Sequence, residues 1–127
     1  MEGLIRIDTH VAVWLYTADT DRFSAPAREA IESESLTFAP MVGLELTYLH
    51  EIGRLAVSGP EILVDLAERV GLKPSDQPFT AVIAAANALA WTRDPFDRLI
   101  VGDALAANVR LLTKDRTILD NTQIAFW

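Results

Sequence analysis

The sequence predicts an α/β fold in which helices cover both faces of a central parallel sheet of four to five strands. Short apolar runs alternate with helical patterns along the chain, and such alternation is typical of βαβ units. Most residues of these runs are apolar, as expected for strands that are buried on both faces. The 127 residues, 50% of them hydrophobic, suit one core, so we expect a single domain over residues 1–127.

The first strand and the first two helices are predicted near the N-terminus. Residues 3–7 form an apolar run that ends abruptly at Asp8, and a helical pattern follows over residues 10–16. Ser24 is a favourable N-cap for a second helix that begins near Pro26. This arrangement places Asp8 at the junction of a strand and a helix.

The middle of the chain predicts a second strand and two further helices. The apolar run at residues 36–39 is closed by Pro40. A helical pattern then covers residues 41–55, including Gly53, and another covers residues 60–70.

The last part of the chain predicts three strands and two helices. A short third strand is expected at residues 72–74, followed by an alanine-rich helix over residues 79–91. A proline opens a helix over residues 95–108. Residues 109–113 and 123–127 complete the predicted sheet.

Two acidic residues follow predicted strands. Asp8 comes directly after the first strand, and Asp115 comes just after the apolar run that ends at Thr113. Ligands of open α/β sheets bind in the crevice beyond the carboxyl ends of the strands. We therefore expect these two carboxylates to share a site.

Glu45 lies within an apolar stripe of its predicted helix. At helical spacing it shares that stripe with Met41, Leu44, Tyr48, Leu49, Ile52, Leu55 and Ala56. A carboxylate among apolar side chains loses its hydration, so it needs a cation or strong hydrogen-bond donors. Two interpretations stay open, a structural glutamate paired with an arginine or a backbone amide, and a functional carboxylate.

Three aspartates lie at the start of the predicted helix at residues 95–108 or within it. Asp94 is placed as its N-cap, and Asp97 occupies the third helical position. A carboxylate at that position satisfies free amides and the helix dipole, but it can also project toward the crevice at the strand ends. Asp103 lies on a different side of the helix from Asp97, so we expect it to be peripheral.

Composition excludes several classes of function. The 11 Lys and Arg residues against 18 Asp and Glu give a net charge of −7, which argues against a module that binds nucleic acid by general attraction to phosphates. The absence of cysteine excludes disulfides and thiolate chemistry and favours a reducing cytoplasm. No apolar run approaches the length of a membrane span.

The acidic residues favour a hard cation. Carboxylate ligands without a cluster of His or Cys select Mg²⁺ or Mn²⁺ over zinc. Such ions neutralise phosphate charge and serve phosphoryl chemistry, and they allow an acidic protein to act on nucleic acid. Weaker candidates for contacts with the carboxylates or the substrate are Thr9, His10, Thr113 and Arg98.

The chain resembles the PIN-domain ribonucleases, in particular the VapC-type toxins of bacterial toxin–antitoxin pairs. The resembling segments are Asp8-Thr9-His10 with Trp14, Glu45, Asp94-Pro95-Phe96-Asp97-Arg98-Leu99-Ile100, Leu112-Thr113-Lys114-Asp115, and Ile124 to Trp127. They span nearly the whole chain. The departure lies around Glu45, where Leu44 and His50 stand at positions at which related toxins often carry tryptophan and lysine.

The resemblance implies a PIN-like α/β/α sandwich and a Mg²⁺- or Mn²⁺-dependent endoribonuclease. Carried over by position, Asp8, Glu45, Asp97 and Asp115 form the acidic quartet. Asp8, Asp97 and Asp115 are then direct or water-bridged metal ligands, and Glu45 is a ligand or orients water. The resemblance also implies an RNA substrate, a small antitoxin partner and a homodimer.

Two alternatives are kept. The first is a non-catalytic PIN-like scaffold, which the intact quartet argues against. The second is a phosphoacceptor signalling domain, but such a domain needs an adjacent acidic pair after its first strand, and here Thr9 and His10 follow Asp8.

Overall fold

Residues 3–127 are described by a computed structural model and contain five strands, seven α-helices and one short 3-10 helix (Thr20–Arg22). The strands are β1 (Leu4–Ile7), β2 (Ser35–Phe38), β3 (Lys73–Pro74), β4 (Arg110–Leu112) and β5 (Ala125–Phe126). The helices are α1 (Thr9–Tyr16), α2 (Ala25–Ser33), α3 (Pro40–Glu51), α4 (Gly59–Val70), α5 (Phe79–Asn87), α6 (Pro95–Ala107) and α7 (Arg116–Asn121).

The strands form one parallel sheet in the order β3-β2-β1-β4-β5. In the central strand β1, Ile5, Arg6 and Ile7 are 1%, 4% and 0% exposed. Because successive side chains of a strand point to opposite faces, both faces of the sheet are covered. The predicted α/β fold with a parallel sheet of four to five strands is confirmed.

The register of β1 and β4 positions the residues that follow them. Ile7 lies opposite Leu112, and the Asp8 amide donates to the Leu112 carbonyl at 3.0 Å. The two strands therefore end at the same level, so Asp8 and Thr113 leave the sheet side by side.

A buried polar network fixes α6 against the centre of the sheet. The Arg6 guanidinium donates to Asp103 Oδ1 at 2.7 Å, to Thr37 Oγ1 at 2.7 Å and to Ser75 Oγ at 2.9 Å. Arg6 and Asp103 are 4% and 2% exposed, so each charge depends on the other. The network ties α6, which carries Asp97, to β1, which leads to Asp8.

Helix starts follow the predicted capping residues. The Ser24 hydroxyl accepts from the Ala27 amide at the start of α2, and the Asp94 carboxylate accepts from the Phe96 amide at the start of α6. Pro40 does more than close β2, because it is the first residue of α3 and suits a first-turn position that needs no amide donor.

The predicted extent and orientation of α3 were partly wrong. The helix ends at Glu51, and Gly53 then turns the chain with a φ of 81°. Val42 and Leu46 face the core, whereas Leu44 and Tyr48 are 57% and 45% exposed. The buried stripe of α3 therefore lies next to the stripe that was predicted. Glu45 is half-buried at the edge of the buried stripe.

The helix predicted at residues 79–91 was too long, and α7 was missed. α5 ends at Asn87, and the Arg98 side chain donates to the free carbonyls of Ala86 and Asn87 at this helix end. α7 has only six residues, too few for an apolar period to show. No helix within residues 3–127 has the length and apolar character needed to cross a bilayer.

Candidate active site

A cavity of about 330 Å³ brings the four predicted carboxylates together. Asp8, Glu45, Asp97 and Asp115 come from the end of β1, the middle of α3, the first turn of α6 and the segment after β4. The cavity is also lined by Thr9, His10, Arg54, Val13, Trp14, Leu49 and Leu55. The acidic residues thus form one site although they are far apart along the chain.

Asp8 is held rigidly at the base of the cavity. It is 4% exposed and is the N-cap of α1. Its Oδ1 accepts from the Thr9 amide at 2.7 Å, and its Oδ2 accepts from Thr113 Oγ1 at 2.7 Å. These two donors fix the orientation of the Asp8 carboxylate.

Asp115 is connected to Asp8 through Thr113. The Asp115 amide donates to Thr113 Oγ1 at 3.0 Å, and the same hydroxyl donates to Asp8. Asp115 is also the N-cap of α7, and its Oδ1 accepts from the Ile118 amide at 3.2 Å. One buried hydroxyl therefore sets the spacing between two of the four acids.

Glu45 finds a threonine as its partner. The Thr9 hydroxyl donates to Glu45 Oε1 at 2.5 Å. Burial raises the pKa of Glu45, and the hydrogen bond from Thr9 opposes this effect. Within residues 3–127 no arginine pairs with Glu45, so the structural interpretation based on an arginine is wrong.

Of the four acids, Asp97 has the largest shift in pKa. Burial, together with the neighbouring charges of Asp94, Asp8, Asp115 and Glu45, raises its pKa to about 7. The negative charge in the cavity is thus poorly balanced by the protein's own cations. A divalent cation would supply the missing positive charge.

His10 is held neutral at the cavity wall. Its Nε2 accepts from the Lys114 amide at 2.8 Å, so the ring proton lies on Nδ1, which is 3.8 Å from Asp8 Oδ2. Burial lowers the pKa of His10, although the charges of Asp8 and Asp115 oppose this. His10 joins α1 to the chain after β4.

A family model described as the PIN domain matches residues 5–123. The chain belongs to the PIN-domain family. Among curated proteins, this PIN domain is 37% identical over 120 residues to Ribonuclease VapC22 of Mycobacterium tuberculosis, covering 90% of this chain and 88% of the relative. The family resemblance seen in the sequence is confirmed.

Among solved structures, the PIN domain is similar to VapBC2 from Rickettsia felis, bound there to a DNA fragment from the promoter of the pair. The match has a TM-score of 0.68 and covers 97% of this chain and 96% of that one. At 15% sequence identity, the similarity establishes a shared fold.

The acidic quartet of this PIN domain fits a hard, hydrated cation. Within residues 3–127 no three His, Asp or Glu side chains stand close enough to enclose an ion directly. Mg²⁺ commonly keeps several waters and takes only one or two carboxylates. Oxygen donors around a cavity of this size therefore suit an ion bound partly through water, and Asp8, Asp97 and Asp115 are the residues that would hold it.

The structure places the weaker candidates differently. Thr9 and Thr113 orient carboxylates, and His10 lines the cavity. Arg98 does not line the cavity, because its guanidinium is bound to carbonyls at the end of α5. We therefore do not assign Arg98 to the substrate.

Among the lining residues that were not predicted as site residues are Trp14 and Arg54. Trp14 lines the cavity and packs against the His10 ring, which is tilted relative to it, with ring centroids 4.9 Å apart. Arg54 lies in a segment too short to be informative by itself. A usable signal was the position of Arg54 directly after Gly53, the glycine that turns the chain after the end of α3.

Proposed function

We propose that this PIN domain is a Mg²⁺- or Mn²⁺-dependent endoribonuclease that acts as the toxin of a VapBC-type pair. The observation that best supports this proposal is the cavity at the strand ends, where four carboxylates meet and the pKa of Asp97 rises to about 7. The similarity to a relative named Ribonuclease VapC22 supports RNA as the substrate. We also expect a cytoplasmic location, as for an enzyme that meets cellular RNA.

The reaction is the hydrolysis of an RNA phosphodiester. The oxygen of a water molecule joins the phosphorus, one ester P–O bond breaks, and a proton from the water ends on the departing oxygen. A bound divalent cation neutralises phosphate charge and activates water. Asp8, Asp97 and Asp115 would hold such a cation directly or through water, and Glu45 would serve as a further ligand or orient the attacking water.

Two threonines hold the carboxylates ready for this task. Thr113 fixes Asp8 and the Asp115 backbone, and Thr9 fixes Glu45. Carboxylates that are already oriented lose little conformational freedom when the ion and the substrate bind.

The proposed activity is tested with purified protein and labelled single-stranded RNA. We expect cleavage with Mg²⁺ or Mn²⁺, loss of cleavage with EDTA, and loss in the Asp8→Asn variant. Glu68→Gln, which removes one charge from an exposed position on α4, is the matched control and should cleave normally. Equal cleavage by Asp8→Asn and the wild type would refute the assignment.

A non-catalytic scaffold makes a different prediction. Calorimetry should detect Mg²⁺ or Mn²⁺ binding to the wild type and weaker binding to Asp8→Asn. Absence of divalent-ion binding by the wild type would favour the scaffold over the nuclease.

We further propose a small antitoxin as a protein partner. The similar structure is that of a VapBC complex, and the acidic cavity would attract a basic segment. Co-expression with the product of a short neighbouring reading frame should yield a stable complex that no longer cleaves RNA. Continued cleavage by such a complex would contradict this proposal.

A homodimer is proposed through the apolar surface of α3 and α5. Leu44, Tyr48 and Phe79 are 57%, 45% and 69% exposed. Leu44 and Phe79 line a shared groove of about 290 Å³, and apolar surface of this kind is typical of an interface. Light scattering should give twice the mass of 14.0 kDa, and Phe79→Ser should shift the protein toward a monomer.

A further inference from the structure

We propose that Arg54 binds an RNA phosphate at the mouth of the acidic cavity. The proposal rests on the ribonuclease function argued above and assigns a substrate-binding role to a residue outside the acidic quartet. The ligand is a phosphodiester of single-stranded RNA, and the contact is made by the guanidinium group.

The first observation is that the Arg54 side chain has no polar partner among residues 3–127. Within residues 3–127, the other arginines each donate to, or pair with, a carboxylate, a hydroxyl or a carbonyl. The Arg54 guanidinium makes no such contact there, although it lines a cavity with four carboxylates. Its charge is therefore available to a ligand.

The second observation is that the backbone holds Arg54 in place. Gly53 has a φ of 81°, a conformation that favours glycine, and it turns the chain between the end of α3 and Arg54. The Arg54 amide then donates to the Leu49 carbonyl at 2.8 Å. The His50 ring contacts the Leu55 carbonyl at 2.8 Å, so the turn is fixed while the long side chain stays exposed.

The third consideration is the repulsion between the negatively charged protein and the negatively charged RNA. The protein carries a net charge of −7, and the carboxylates repel RNA wherever a cation does not screen them. A guanidinium forms paired, charge-assisted hydrogen bonds with phosphate oxygens. Arg54 lies on the wall of the cavity to which the scissile phosphate must come, which favours RNA over a protein carboxylate as its ligand.

Binding is measured in the Asp8→Asn background, which prevents cleavage, using fluorescence anisotropy of labelled single-stranded RNA with Mg²⁺. We expect Arg54→Gln to weaken binding about tenfold at low salt, as for loss of one charge-assisted contact. The slope of log K against log salt should fall by about 0.7, the value for one phosphate contact on a single strand.

Two further variants make the result specific. Arg54→Lys keeps the charge, so it should retain the salt slope and lose only part of the affinity, because an ammonium cannot form the paired contact. Arg28→Gln removes an equal charge from α2, whose arginine does not line the cavity, and it should change neither the affinity nor the slope.

Calorimetry separates an effect on RNA from an effect on the metal site. Arg54→Gln should bind Mg²⁺ at least as tightly as the wild type, because a nearby positive charge has been removed. Weaker Mg²⁺ binding would assign Arg54 to the metal site and overturn the proposal.

The outcomes distinguish this inference from the proposed function. If the wild type neither binds nor cleaves RNA with Mg²⁺, the ribonuclease proposal fails. If the wild type cleaves, but Arg54→Gln binds RNA with unchanged affinity and salt slope, only the Arg54 proposal fails. A variant that binds RNA normally but no longer binds a co-expressed antitoxin would show that Arg54 contacts a protein, and would also overturn it.

Discussion

Replacing Asp97 with asparagine should stabilise the metal-free protein. Asp97 is half-buried among other acids, and its pKa of about 7 lies well above the ordinary value of 3.8. Its ionised form therefore costs folding free energy at neutral and higher pH. An asparagine keeps the shape of the side chain and removes that cost.

The size of the effect follows from the pKa difference. Each pH unit corresponds to about 1.36 kcal/mol, so the difference between 3.8 and about 7 sets an upper limit of roughly 4 kcal/mol. Asp97 is partly exposed, and solvent screening reduces this to about 1–2 kcal/mol. For a domain of this length, we expect the Tm to rise by about 3–8 °C.

The sign of the pH dependence follows from proton binding. In the unfolded chain Asp97 loses its proton near pH 4, whereas in the folded protein it keeps the proton up to about pH 7. Unfolding therefore releases a proton between these values, and the Asp97 contribution to stability falls as pH rises. The advantage of Asp97→Asn should be absent below pH 4 and complete above pH 7.

The assay is thermal unfolding followed by circular dichroism, in EDTA and in Mg²⁺, at pH values from 4 to 8. Glu68→Gln changes the net charge equally from an exposed helix position and should show no comparable gain. In Mg²⁺ the order should reverse, since the wild type gains stability from the ion and Asp97→Asn loses a ligand. A variant that is less stable in EDTA at pH 8, or equally stabilised at all pH values, would refute the reasoning.

Three further predictions concern the supports of the site. Asp103→Asn leaves the buried Arg6 charge uncompensated and should lower the free energy of unfolding by about 3–5 kcal/mol in urea titrations; a loss below 1 kcal/mol would contradict this. Thr113→Val removes hydrogen bonds to Asp8 and from Asp115, so calorimetry should show weaker Mg²⁺ binding, and unfolding should become easier by about 2 kcal/mol. Gly102→Ala would put a Cβ 2.9 Å from the Val82 carbonyl, so thermal unfolding should show a loss of about 1–3 kcal/mol; an unchanged Tm would show that α5 and α6 separate freely.

The sequence predicted the strands well because most of their residues are apolar, although Arg6 and Arg110 are exceptions. β1 and β4 are buried on both faces, and Ile7, Leu111 and Leu112 are fully enclosed. Capping residues marked helix starts for a similar local reason, since Ser24 satisfies amides only a few residues away. Short local interactions of this kind can be identified without the fold.

The orientation of α3 was less predictable. Its apolar residues surround most of the helix, so the pattern does not select one buried stripe. Packing of Val42 and Leu46 into the core selected the stripe, and the pairing of Glu45 with the Thr9 hydroxyl followed from it. The unpaired state of Arg54 also depends on which side chains surround it in three dimensions.

The amino-acid sequence by itself determined the α/β class, the family and the identities of the four acids, because apolar runs, caps and motif spacing are properties of neighbouring residues. Only the tertiary structure decided how those acids interact. Their shared cavity, the raised pKa of Asp97 and the role of Thr113 arise from contacts between distant segments, and electrostatic interactions depend on distance and burial in space.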